Sequence, residues 1–190
     1  NQLNQIDKTT DGGTTWTSRT EPNDADGGIN ANDFSRGQAW YDLALEADPN
    51  NADHIYVGGV NLWESTNGGS SWFINAHWLW PTSSGVGYVH ADIHMLRYTD
   101  GRFYAGTDGG VYRMDGPANW VDLTQGLEIT QFYRLGQSFQ MPYRVVAGAQ
   151  DNGTMMSDST IAWEQILGAD GMEALVDYSD PDIIYGCIQN

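Results

Sequence analysis

Residues 54–72 read HIYVGGVNLWESTNGGSSW. Two runs of β-branched, aromatic and aliphatic residues, HIYVG and NLWES, flank a Gly58-Gly59-Val60-Asn61 turn, and Thr66-Asn67-Gly68-Gly69 makes a second turn before Ser70-Ser71-Trp72. Apolar runs this short, punctuated by glycine turns, predict an antiparallel meander of three strands.

The unit recurs along the chain. Trp72 lies 14 residues after Gly58, Trp120 lies 14 after Gly106, and Trp163 lies 15 after Gly148. These glycines close similar segments, HIYVG, RFYAG and RVVAG, with IIYG (residues 183–186) as a further copy. An Asp or Asn stands five residues before the tryptophan of each turn: Asp11 before Trp16, Asn67 before Trp72, Asp115 before Trp120 and Asp158 before Trp163. A repeat of about 40 to 50 residues, each holding about four short strands, is the pattern of propeller blades. The expected fold is therefore all-β, a partial β-propeller of four-stranded antiparallel blades. The segments are 1–39 (the end of a first blade and an acidic loop), 40–89 (a blade with an aromatic insertion), 90–130, 131–170, and 171–190 (the start of a further blade). With three full units and two partial ones, the reading expects a fragment of a larger propeller, whose remaining blades and domains belong to the same longer chain.

Composition narrows the partners. Eight basic residues stand against 25 acidic ones, a formal charge of −17, in 190 residues with 8 Trp, 10 Tyr and 23 Gly. Such a field repels phosphate backbones and anionic headgroups, which argues against nucleic acid and against a membrane surface. No apolar run approaches the roughly 18–20 residues of a membrane-spanning helix. Cys187 is the one cysteine, so no internal disulfide staples the fold.

The turns carry a specific resemblance. Thr9-x-Asp11-x-Gly13-x-Thr15-Trp16 and Ser65-x-Asn67-x-Gly69-x-Ser71-Trp72 resemble the Asp-box, or BNR, motif, in which glycine supplies positive φ and the acid caps backbone N–H groups. In MDGPANW, Pro117 replaces the second glycine, and DSTIAW lacks both. The chain is similar over nearly its whole length to the Asp-box propeller superfamily of sialidases, xyloglucan-cleaving glycosidases and sortilin-type receptors. The resemblance implies a secreted or cell-surface protein, associated with glycans, protein ligands or an outer-membrane export or surface assembly. Within that family the turn Thr107-Asp108-Gly109-Gly110-Val111-Tyr112-Arg113 is similar to the one carrying a catalytic Asp in xyloglucan-cleaving enzymes, which would make Asp108 the base. A sialidase needs three arginines around its substrate carboxylate, and the seven arginines here do not recur at the rim turns.

Topology places the candidate site. In a four-stranded meander the turn joining strands two and three shares a rim with the start of strand one. Asp42, His90, Asp92, Asp108, Asp151 (with its neighbour Gln150) and Asp170 therefore belong to one rim, while Asp11, Asn67 and Asp115 sit on the other. On a strand of period two, His90, Asp92 and His94 share one face, suited either to a transition metal or to a hydrogen-bonded network. Trp78 and Trp80, in the insertion after Trp72, either stack on a sugar or anchor a partner, or else pack against a neighbouring blade. In the loop of residues 17–39, Asp24, Asp26, Asn30 and Asp33 follow the spacing of a calcium loop, although Pro22 occupies its first position; Ca2+ or a solvated acidic loop are the alternatives. Asn152-Gly153-Thr154 matches a glycosylation sequon. Two functions follow: a binding module for a glycan, peptide or protein, or a glycoside hydrolase module, inverting, that lacks its second half. An inverting pair holds its carboxyl groups roughly 6.5–9.5 Å apart.

Overall fold

A computed structural model describes residues 2–24, 33–79, 81–158 and 161–189; Asp26, Asn30 and Trp80 lie outside the described residues. It falls into two compact units, Asn1–Gly126 and Leu127–Asn190. Among the described residues every regular element is a strand.

In the first unit, β1 (Ile6–Lys8) and β2 (Thr17–Arg19) form a hairpin. The strands β3 (Ala44–Asp48), β4 (Asn51–Gly58), β5 (Leu62–Ser65) and β6 (Phe73–His77) make an antiparallel meander, to which β7 (Gly87–Tyr88) adds in parallel. The chain after Trp72 thus gives this sheet a fifth strand, one more than the repeat predicts. A four-stranded meander follows in β8 (Ile93–Thr99), β9 (Arg102–Thr107), β10 (Gly110–Gly116) and β11 (Asn119–Asp122). In the second unit, β12 (Arg134–Gln137), β13 (Arg144–Ala149), β14 (Gly153–Asp158) and β15 (Glu164–Leu167) form another four-stranded meander, and β16 (Asp170–Val176) pairs with β17 (Ile184–Gln189). The fold is all-β, and its sheets are the up-and-down meanders of β-propeller blades.

Strand alternation explains how the sheet built on β4 is covered twice. Successive side chains point to opposite faces. Tyr56 and Leu62 enter one buried cluster with Ile93, Phe103 and Tyr112, whereas their neighbours Val57 and Trp63 enter another with Ile6 and Phe34. Each fully buried aliphatic or aromatic side chain contributes about 1.5–3 kcal/mol. The repeated glycine has a packing reason. A Cβ on Gly58 would lie 2.6 Å from Cγ2 of Ile93, and one on Gly148 would lie 2.1 Å from the carbonyl oxygen of Met172. Absence of a side chain lets the next innermost strand close on the sheet, and the amide of Ile93 reaches the Gly59 carbonyl at 2.9 Å.

Two of the four Asp/Asn–Trp turns are built alike. Asp11 Oδ1 accepts from the Thr15 amide at 2.9 Å and its Oδ2 from the Thr15 hydroxyl at 2.6 Å, while Thr9 Oγ1 accepts from the Gly13 amide at 2.9 Å. Asn67 Oδ1 accepts from the Ser71 amide at 2.9 Å, and Ser65 Oγ from the Gly69 amide at 2.9 Å. The other two acids turn elsewhere. Asp115 is held in a fork by Arg113 (2.7 and 2.8 Å), and Asp158 accepts from Arg144 at 2.9 Å. In MDGPANW, where Pro117 replaces the second glycine, the acid pairs with arginine instead.

Candidate functional site

The β9–β10 turn is squeezed between neighbours, which accounts for its glycines. A Cβ on Gly109 would lie 2.1 Å from the His90 ring, and one on Gly110 would lie 1.8 Å from Thr124 Oγ1. Thr107 Oγ1 accepts from the Gly109 amide at 3.2 Å and donates to the Gly110 carbonyl at 3.1 Å. Asp108, held at the tip, faces two partners. His94 Nε2 stands 2.6 Å from its Oδ1, and the Tyr41 hydroxyl donates to its Oδ2 at 2.8 Å. His94 Nδ1 lies 3.1 Å from the Tyr41 carbonyl, so both ring nitrogens face acceptors.

A second pair of carboxylates lies beside the first group. The turn ahead of β3 sends the Tyr41 amide to the Gln38 carbonyl at 2.7 Å, which sets Gln38, Tyr41 and Asp42 together. The Gln38 amide nitrogen donates to Asp92 Oδ1 at 2.7 Å and to Asp42 Oδ2 at 3.1 Å. Asp42 is fully buried, and among the described residues its Oδ1 has no hydrogen-bond partner. Burial, reinforced by the charge of Asp92, pushes the Asp42 carboxyl up to about 7. Asp92 is also raised, by burial and then by the charge of Asp108. Near neutral pH Asp42 therefore holds a proton for part of the time, and the rim carries less charge than its acids suggest. One carboxylate oxygen of Asp92 comes within 4.8 Å of one of Asp108.

The structure thus gathers Asp42, Asp92, His94 and Asp108. It corrects one expectation. Asp92 has φ 62° and precedes β8, so His90, Asp92 and His94 do not share a strand face; the left-handed residue breaks the alternation, and His90 packs over Gly109 instead. Trp78 lies half-buried, its amide donating to Asn61 Oδ1 at 3.0 Å and its ring 6.0 Å from the Arg36 guanidinium. Asp24, 2% exposed, pairs with Arg36 at 2.9 Å, and Asp33 accepts from Ser35 at 2.8 Å and Gln2 at 3.2 Å. These two carboxylates of the calcium-loop spacing are thus engaged with protein donors. In the second unit, Asp151 sits at φ 64° in the β13–β14 turn, Gln150 accepts from the Tyr133 hydroxyl, and Asp170 opens β16.

Three functional groups escape the sequence reading. Gln38 joins the two buried acids. Trp40 and Tyr41 stand 71% and 44% exposed, ring centroids 5.5 Å apart, and Tyr41 sets its ring edge-on to His94 at 4.7 Å. Adjacent aromatics in a polar loop were the available signal. The arrangement offers exposed aromatic faces beside the Asp108 carboxylate.

No family model and no curated protein matches the chain. Among solved structures, it is similar to the GH74 enzyme of Niastella koreensis, at 21% identity over 95% of this chain and 29% of that one, with a TM-score of 0.40. It is similar to the GH74 xyloglucanase from Xanthomonas campestris, at 18% identity over 96% and 25%, with a TM-score of 0.37. A third is YCF48 from Cyanidioschyzon merolae, at 13% identity over 94% and 56%, with a TM-score of 0.33. The chain spans 22% to 29% of the length of the GH74 structures it matches.

Proposed function

We propose that the chain is a binding module of β-propeller type that takes a glycan at the rim formed by Trp40, Tyr41, His94 and Asp108. The observation that carries this reading is the exposed Trp40–Tyr41 pair next to an Asp108 already held by two donors. A sugar ring stacks on an aromatic face and its hydroxyls donate to the remaining lone pairs of the Asp108 carboxylate. The Asp-box resemblance supports placing the module in a secreted or surface-displayed protein, with further blades of a longer chain or a surface assembly as partners.

The competing reading is a glycoside hydrolase with Asp108 as base. The fully buried Asp42 has no surface from which to protonate a leaving oxygen. Titration with a xyloglucan oligosaccharide, followed by product analysis, separates the two. The binding reading expects retention without cleavage, weakened about tenfold by Trp40→Ala, which is about the loss of one aromatic contact. Cleavage by the parent protein that disappears in Asp108→Asn overturns it in favour of the hydrolase.

A further inference from the structure

The rim sets negative charge beside exposed aromatic rings. Asp108, with one of its oxygens within 4.8 Å of one of Asp92, accepts from the Tyr41 hydroxyl at 2.8 Å, and the Tyr41 ring stands 5.5 Å from that of Trp40. Asp92, Asp108, Tyr41 and Trp40 thus follow one another along the rim. The two rings are tilted by 48°, so they present a twisted surface rather than a flat one.

The acids at this end are short of positive charge. Asp92 and Asp108 are both half-buried, and their mutual repulsion adds to burial in pushing the Asp92 carboxyl up. The donor that reaches Asp92, at 2.7 Å, is the neutral amide of Gln38. That same nitrogen serves Asp42 at 3.1 Å, and the Asp42 and Asp92 carboxyl groups also face each other directly. Asp42 is 0% exposed, and among the described residues its Oδ1 meets no donor at all. A buried acceptor left without a donor is costly, and here it stands directly behind Asp92.

We propose that the ligand of the rim is an amino sugar oligomer, whose protonated amine sits between Asp92 and Asp108 while its rings stack on Tyr41 and Trp40. The inference rests on the glycan reading and names the class of glycan. An ammonium that donates to two oxygens at about 2.8 Å each, at the tetrahedral angle, spans oxygens about 4.6 Å apart, which fits this pair. Its charge relieves the repulsion between the two acids, and the neighbouring aromatic faces attract it further. A neutral sugar leaves that repulsion in place. An acidic sugar is repelled by it and by the net charge of −17, which draws a cation inward. The step from Tyr41 to Trp40 is that of one sugar unit, so a chain reaches both rings where a single amino sugar does not.

The test is calorimetric titration of the 190-residue chain with the β-1,4-linked tetramer of glucosamine, its N-acetylated twin and the tetramer of glucose, at about pH 6, where an amine keeps its proton. The glucosamine tetramer is expected to bind about tenfold more tightly than either neutral one, the scale of a charge-assisted contact. Asp92→Asn suits the test because Asn tolerates the φ of 62° found there. It is expected to shrink the preference to within about twofold, whereas Glu164→Gln, which removes the same charge from an exposed strand of the second unit, leaves the preference whole. Equal binding of all three tetramers, each weakened by Trp40→Ala, overturns this inference and keeps the glycan reading. Failure of every tetramer to bind removes both. A preference that survives in Asp92→Asn, or a peptide acetyl-Gly-Lys-Gly-amide that binds as tightly as the glucosamine tetramer, also overturns the proposal.

Discussion

His94 Nε2 and Asp108 Oδ1 stand 2.6 Å apart, tying β8 to the tip of the β9–β10 turn. Asp108→Asn keeps the shape and removes the charge that both His94 and Tyr41 address. A partly exposed contact of this kind is worth about 1 kcal/mol to stability. Urea denaturation should show that small loss, and glycan retention should fall by about tenfold, since a ligand hydroxyl loses its charged acceptor. A variant that retains glycan as tightly as the parent would remove Asp108 from the site.

The buried pair behind this contact makes stability depend on pH. The Asp42 carboxyl rises from 3.8 to about 7 on folding. Below about pH 4 folded and unfolded chains both hold the proton and nothing is lost. Between about pH 4 and pH 7 only the folded chain holds it, so stability falls as pH rises, by on the order of 2–4 kcal/mol in all. Asp42→Asn should cancel this slope, and its urea midpoint should exceed that of the parent at pH 8 while matching it near pH 4. Parallel curves for the two proteins would refute the raised Asp42 carboxyl.

Glycine at the end of β4 is a steric requirement. Gly58→Ala puts a methyl 2.6 Å from Ile93 Cγ2, which should cost about 1–3 kcal/mol of overpacking. At Gly106 the nearest atom to an added Cβ is 3.5 Å away, ordinary contact with Met95. Gly106→Ala should therefore cost less than about 1 kcal/mol. Thermal melts of the two variants compare them directly.

The first turn reports on itself by titration. The Thr15 hydroxyl, then the Thr15 amide and the Thr9 hydroxyl, hold the Asp11 carboxyl down from 3.8 to about 2. Its contribution is complete above about pH 4 and is lost as pH falls through about 2. Carboxyl NMR should give that midpoint. Thr15→Val, which deletes the leading donor, should move it upward, and an unmoved midpoint would reassign the cause.

Much of the fold was legible because the signals were local. HIYVG and NLWES became β4 and β5 through apolar runs ended by glycine, and counting strands from those turns led to Asp42, Asp92 and Asp108 on one rim. What escaped depended on distant partners or on a single backbone angle. Asp92 lacks a following glycine to announce its left-handed φ, so a strand pattern was read through it. Trp78 reads either as a displayed ring or as a packed one, because nothing near it in sequence names Arg36 as the side chain beside it. Gln38 is an ordinary polar loop residue until the fold sets two acids against its one amide nitrogen.

Trp40, 71% exposed and 5.5 Å from Tyr41, gives the rim an optical reporter of its own. A ring stacked on that indole takes it out of water, and its emission moves to shorter wavelength. The chain holds eight tryptophans, so Trp40→Phe, which deletes this one component from the emission, separates the rim's signal from the rest.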